Sequence, residues 1–97
     1  MPISVKLRKE SGLVVAQLDV PYDVPPNLEA DRFPLLSGVD PYGDTVFNRR
    51  QMDRLLDELA ALIPGVSSEQ QRMLTALSLM CERCRSAVHH YVWFVGD

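Results

Sequence analysis

FNRRQMDRLLDELAALIPG, residues 47–65, is the stretch on which the fold turns, because it carries a helix with both of its ends spelled out. Asn48 is a good N-cap. Gln51, three residues on, completes a capping box, and Phe47 and Met52 flank the start as a hydrophobic staple. Met52, Leu55, Leu56, Leu59, Leu62 and Ile63 recur at helical spacing, while Asp53, Arg54, Asp57 and Glu58 fall on the wet side. Pro64-Gly65 is a stop signal, so the expected helix covers 48–64.

Downstream, Ser67 or Ser68 caps a second helix over 67–86. Met73, Leu77, Met80, Cys81 and Cys84 share one face, widened by Leu74 and Leu79, and Gln71, Thr75, Ser78, Glu82 and Arg85 lie opposite. The period then changes: Val88, Tyr91, Val92, Trp93, Phe94 and Val95 are β-branched or aromatic, which predicts a strand over 87–95.

Upstream, residues 1–19 read as a β-hairpin. Ile3, Val5 and Leu7 alternate with Ser4, Lys6 and Arg8, Glu10-Ser11-Gly12 turns the chain, and Leu13–Leu18 returns. That second strand is apolar on both faces and is expected to lie deeper in a sheet than the first. Residues 20–47 read as a Pro-rich loop and turn, since Pro21, Pro25, Pro26 and Pro34 lack amide donors and bias their neighbours away from helix. Asp40-Pro41-Tyr42-Gly43 fits a type I turn. The expected architecture is one α+β domain in the order β-β-loop-α-α-β: a small antiparallel sheet of three to four strands, any fourth near Phe33–Leu36, with two antiparallel helices packed on one face.

The chain has 97 residues, 46% of them hydrophobic, and a net charge of −3. At that size a packed core, not a disulfide framework, must supply stability, and two cysteines in the whole chain agree with a reducing compartment. No stretch approaches the ~20 apolar residues of a membrane helix, and the opening MPISVK lacks the pattern of an export leader, so the expected location is cytoplasmic. Charge is uneven. Residues 19–44 carry Asp19, Asp23, Glu29, Asp31, Asp40 and Asp44 against Arg32 alone, a local net of −5. Such a segment suits a protein partner with a basic surface and disfavours nucleic acid, since dense basic groups occur only at Lys6/Arg8/Lys9 and Arg49/Arg50. The candidate partner-binding residues are therefore Asp19, Asp23, Glu29, Asp31, Asp40, Tyr42 and Asp44.

No chemistry is announced. Cys81-x-x-Cys84 lies deep in a helix, away from the N-terminal position that activates a thiol, and His89 and His90 project to opposite faces of a strand, which spoils a four-ligand site with the cysteines. There is no Gly-rich phosphate loop and no nucleophile elbow. The chain reads as non-enzymatic, with no catalytic residue, metal or cofactor expected.

FPLLSGVDPYGDTVFNRRQ, residues 33–51, and the closing YVWFVGD resemble short bacterial proteins of unassigned function that pair a DPYGDTVFN-type segment with a final strand. The resemblance covers about a third of the chain and implies a small cytoplasmic bacterial domain with no catalytic residues to transfer. In size and acidity the chain is also similar to immunity proteins that neutralise bacterial toxins. The leading expectation is thus a protein-binding module, an immunity or inhibitor protein that meets a basic toxin through residues 19–44. The alternative is a homo-oligomeric structural or assembly subunit using apolar surface at Tyr42, Phe47 or Trp93, or edge pairing of the last strand. A small metal-binding or enzymatic domain ranks third.

Overall fold

A computed structural model describes residues 3–26 and 28–96. Four strands, β1 (Ser4–Lys9), β2 (Val14–Gln17), β3 (Asp44–Phe47) and β4 (His90–Val95), form one antiparallel sheet in the order β2-β1-β4-β3. Two helices, α1 (Met52–Leu62) and α2 (Ser68–Ser86), lie on one face, as the α+β reading anticipates. They are antiparallel: Arg49, just before α1, donates from Nε to the Arg85 carbonyl at the end of α2 (2.9 Å), and Gln71, near the start of α2, donates to the Ile63 carbonyl after α1 (3.0 Å).

The capping box forms as its residues dictate, with the Gln51 amide donating to Asn48 Oδ1 (3.2 Å) and the Asn48 amide to Gln51 Oε1 (2.8 Å). The first turn, Arg49–Gln51, is 3-10, as is Ile63–Gly65, so the regular α-helix is shorter than 48–64. Ser67, not Ser68, caps α2 by accepting the Gln70 amide at 3.2 Å.

Alternation along the strands divides the sheet. Val5, Leu7, Phe47, Val92 and Phe94 face the helices and are buried with Met52, Leu55, Leu59, Met73, Leu74, Leu77, Met80, Cys81 and Cys84. Phe94 is the hub, with Tyr22 and Phe47 packed edge-on against it at 5.0 and 5.6 Å between centroids.

Several expectations need correcting. The fourth strand is Asp44–Phe47, inside the presumed loop, while Leu36–Gly38 near the expected strand is a 3-10 turn. β2 is an edge strand: Ala16 packs toward the core but Val14 is exposed, so apolarity on both faces signals a partly solvated edge here and not depth. β4 begins at His90; His89 lies in the preceding turn with φ of +58°, outside any strand. Leu79 faces solvent. Glu58, assigned to the wet side, is 3% exposed.

Candidate partner-binding surface

Register brings most of the acidic segment to one end of the sheet. Val95, at the end of β4, is paired with Ser4 on one side and Asp44 on the other. Tyr22 joins the same end, its amide donating to the Ile3 carbonyl at 2.7 Å, which ties the strap around Asp19 and Asp23 to the start of β1. Asp23 in turn accepts from Gln70 Nε2 in the first turn of α2 (3.2 Å).

The Asp40–Gly43 turn sits beside them. Asp40 Oδ1 accepts the Tyr42 amide and the Asp40 amide donates to Thr45 Oγ1, both at 2.9 Å, which fixes the turn against β3. The Gly96 amide donates to the Gly43 carbonyl (2.8 Å), closing the turn onto the end of β4. Asp40, Tyr42 and Asp44 are all exposed, Tyr42 at 69%.

Glu29 and Asp31 belong to a separate part of the segment. The Glu29 carbonyl accepts the Arg32 and Phe33 amides, forming a turn whose acidic side chains face water while Phe33 and Leu36 anchor it in the core. Glu58 holds this part in place. From the buried side of α1 its carboxylate accepts the Leu35 amide (3.2 Å) and the Leu36 amide (3.0 Å), satisfying the free donors at the start of the 3-10 turn, with Arg54 alongside at 3.5 Å. The segment is therefore an anchored strap. Its five prolines disfavour a regular α-helix, but Tyr22, Pro25, Phe33, Leu36 and Val39 are all buried.

The ion pairs among the described residues are Arg54–Glu58 and Arg85–Asp53, and His89 contacts Glu10 as a third wherever its imidazole is protonated. None involves the six carboxylates of residues 19–44, which are all exposed. Between the strap and α2 runs a groove of about 960 Å³, walled by Leu18, Asp19 and Pro21 on one side and Gln70, Met73 and Ala76 on the other. The adjacent Tyr22 hydroxyl is buried and has no hydrogen-bond partner among the described residues; burial raises its pKa, with the charges of Asp23 and Glu58 adding to the effect.

The other candidates separate. Cys81 and Cys84 are free and buried. Burial pushes the Cys81 thiol up to about 12, with Cys84 and Glu82 adding, and raises Cys84 despite the opposing pull of Arg49. Cys84 Sγ donates to the His90 carbonyl at 3.4 Å, a packing contact inside the core. His90 Nδ1 donates to the Val88 carbonyl (2.7 Å), and His89 pairs with Glu10 at the far end of the sheet (3.3 Å). Among the described residues no group of three or more His, Cys, Asp or Glu side chains is placed to share a metal ion. Among the described residues no helix is long and apolar enough to cross a membrane.

One surface was legible in the sequence only in pieces, as Trp93 and as the basic Lys6/Arg8 pair. The sheet face away from the helices carries Lys6 and Arg8 from β1, Tyr91 and Trp93 from β4, and Val46 from β3, with the Arg8 guanidinium stacked over the Trp93 ring at 4.6 Å. The alternation of β1 marks Lys6 and Arg8 as co-facial, but only the pairing of β1 with β4, across more than 80 residues, brings the aromatics to them. Two ideas about self-association fall with the fold: Phe47 is buried, and β4 is central, so neither offers an exposed apolar knob or a free edge. Compared with known protein families, curated proteins and solved structures, the chain matches none.

Proposed function

We propose that the protein is a non-enzymatic binding module, most concretely a bacterial cytoplasmic immunity or inhibitor protein that covers a basic surface of a toxin with residues 19–44. The observation that carries this reading is the set of six exposed carboxylates on an anchored strap, none of them in an ion pair among the described residues. Carboxylates already neutralised at home add little to a partner; unpaired ones held on a fixed backbone meet a cationic surface with less ordering cost. Asp19, Asp23, Asp40 and Asp44 gather at one end of the sheet, Tyr42 supplies an exposed aromatic anchor among them, and Glu29 and Asp31 extend the surface across the strap. An interface of ordinary size takes ~800 Å² from each partner, about one seventh of the 5762 Å² accessible here.

Affinity purification from the native cell followed by mass spectrometry tests the reading. The expected result is co-purification of a protein with a basic surface, in an association that weakens as salt rises. Recovery of the chain alone overturns it.

A further inference from the structure

The helix-free face of the sheet has a charge polarity along the strands. At one end, Asp44 of β3 stands level with Ser4 and Val95, and the Tyr42 turn projects just beyond. Two pairs further along lie Lys6, Trp93 and Val46, and beyond them Arg8 and Tyr91. Neither Lys6 nor Arg8 is in an ion pair among the described residues, and Arg8 Nε is buried without an acceptor. Val46 is 41% exposed on the edge strand β3, beside Trp93.

We infer that this face is the interface of a two-fold homodimer, in which the sheets of two copies stack face to face with their ends reversed, so that Asp44 of each copy meets Arg8 of the other. An antiparallel sheet with one solvated face is ordinary. What distinguishes this one is its content: Trp, Tyr and Arg, the side chains that dominate interface cores, share the face with an exposed valine at its β3 edge. Charge selects the occupant and its orientation. Stacking like ends together would set Lys6 and Arg8 against their own images, whereas reversing one copy places the acidic end of each face over the basic end of the other, twice per dimer. A two-fold contact of this kind closes on itself and leaves no repeating surface to polymerise.

Area sets the expected strength. Four strands ~4.8 Å apart and up to six residues of ~3.3 Å give a face on the order of 400 Å² in projection. That is about half of what a standard interface takes from each partner, so side-chain relief and the Tyr42 turn must supply the rest, and a monomer–dimer equilibrium in the micromolar range is expected. Asp19, Asp23, Glu29 and Asp31 stay outside this contact, whereas Asp44 and the Tyr42 turn are shared with the proposed toxin interface, so the two contacts exclude each other at that end of the sheet.

Sedimentation equilibrium on the native protein, with the fluorescence of Trp93, the only tryptophan, as a second readout, tests the dimer. The expected result is concentration-dependent dimerisation with a blue shift as the indole is covered. Arg8→Glu and Asp44→Arg should each weaken it at least tenfold, because each homodimer then opposes like charges twice. Mixing the two variants should restore pairing, since both contacts of the mixed dimer are again complementary. Val46→Lys, at an exposed position that leaves the core alone, should abolish dimerisation with the far-UV circular dichroism unchanged. A protein that stays monomeric at millimolar concentration overturns the inference. So does a dimer indifferent to Val46→Lys, or a pair of single variants that fails to associate on mixing while each remains folded.

Discussion

Glu58 is the residue on which the placement of the strap depends, because one carboxylate accepts two amides from a segment more than 20 positions away. Removing it leaves the part-buried Leu35 amide and the buried Leu36 amide without their acceptor. Glu58→Ala should therefore cost about 2 kcal/mol in urea unfolding, within the range for orphaned buried donors, and Glu58→Gln less, since its carbonyl oxygen still accepts. Its role was only half legible. Glu58 lies between Leu55, Leu59 and Leu62 on the helical wheel, which points inward, but an acid beside Asp57 reads as solvated until the segment it caps is known. Cys81 gives a second prediction at this scale. Its thiol ionises near 9 when free and is pushed up to about 12 in the fold, so the folded state keeps a proton that the unfolded state loses. Stability should be intact below about pH 9 and decline through the window up to about 12, at up to ~1.4 kcal/mol per pH unit for this group. The buried Tyr22 phenol, also raised, adds a loss of the same sign. Chemical denaturation across that range, with Cys81→Ala showing the shallower decline, checks the assignment.

Among the elements, those fixed by local rules were readable and those fixed by distant pairing were not. Asn48, Gln51, Pro64 and Ser67 state the helix ends within a few residues, and all four act as read. Asn48→Ala should cost about 1 kcal/mol in thermal or urea unfolding. Asp44–Phe47, by contrast, is four residues long and follows a turn. Thr45, Val46 and Phe47 have strand chemistry, but what makes them a strand is β4, which arrives more than 40 residues later. The same pairing explains Gly96. A side chain there would meet the Gly43 and Pro41 carbonyl oxygens at 2.6 Å, so the Asp40–Gly43 turn can close onto the sheet only because residue 96 has no Cβ. Gly96→Ala should push that turn away and cost roughly 1–3 kcal/mol, as overpacking does elsewhere. The matching observation is shifted amide resonances at Tyr42–Thr45 with α1 and α2 unmoved.

At the scale of the whole molecule, the layer arrangement followed from counting elements, since two amphipathic helices and an alternating hairpin have few ways to share one core. The candidate surface was legible as composition alone: the run of acids was plain, but its collection at one sheet end depends on the Ile3–Tyr22 and Asp44–Val95 pairings. If residues 19–44 face a partner, replacing Asp19, Asp23, Glu29 and Asp31 together with Asn or Gln should slow association and flatten its dependence on salt. The melting temperature should hardly change, because exposed loop charges contribute little to folding. Surface plasmon resonance at several ionic strengths, beside a thermal melt of the same variant, separates this outcome from a structural role. The place of β4 carries a consequence of another kind. Residues 90–95 occupy the middle of the sheet, and without them β3 has no hydrogen-bonding neighbour and β1 only the short β2. On the ribosome the helical hairpin can form early, but its apolar face has only half a sheet to cover it until the last strand emerges. Folding should therefore be late and cooperative, with its rate governed by the long-range closure of β1 on β4. Val92→Ala, at that seam, should slow refolding in a stopped-flow chevron if the seam forms in the transition state, whereas Leu13→Ala, in the exposed hairpin turn, should leave the refolding arm where it was.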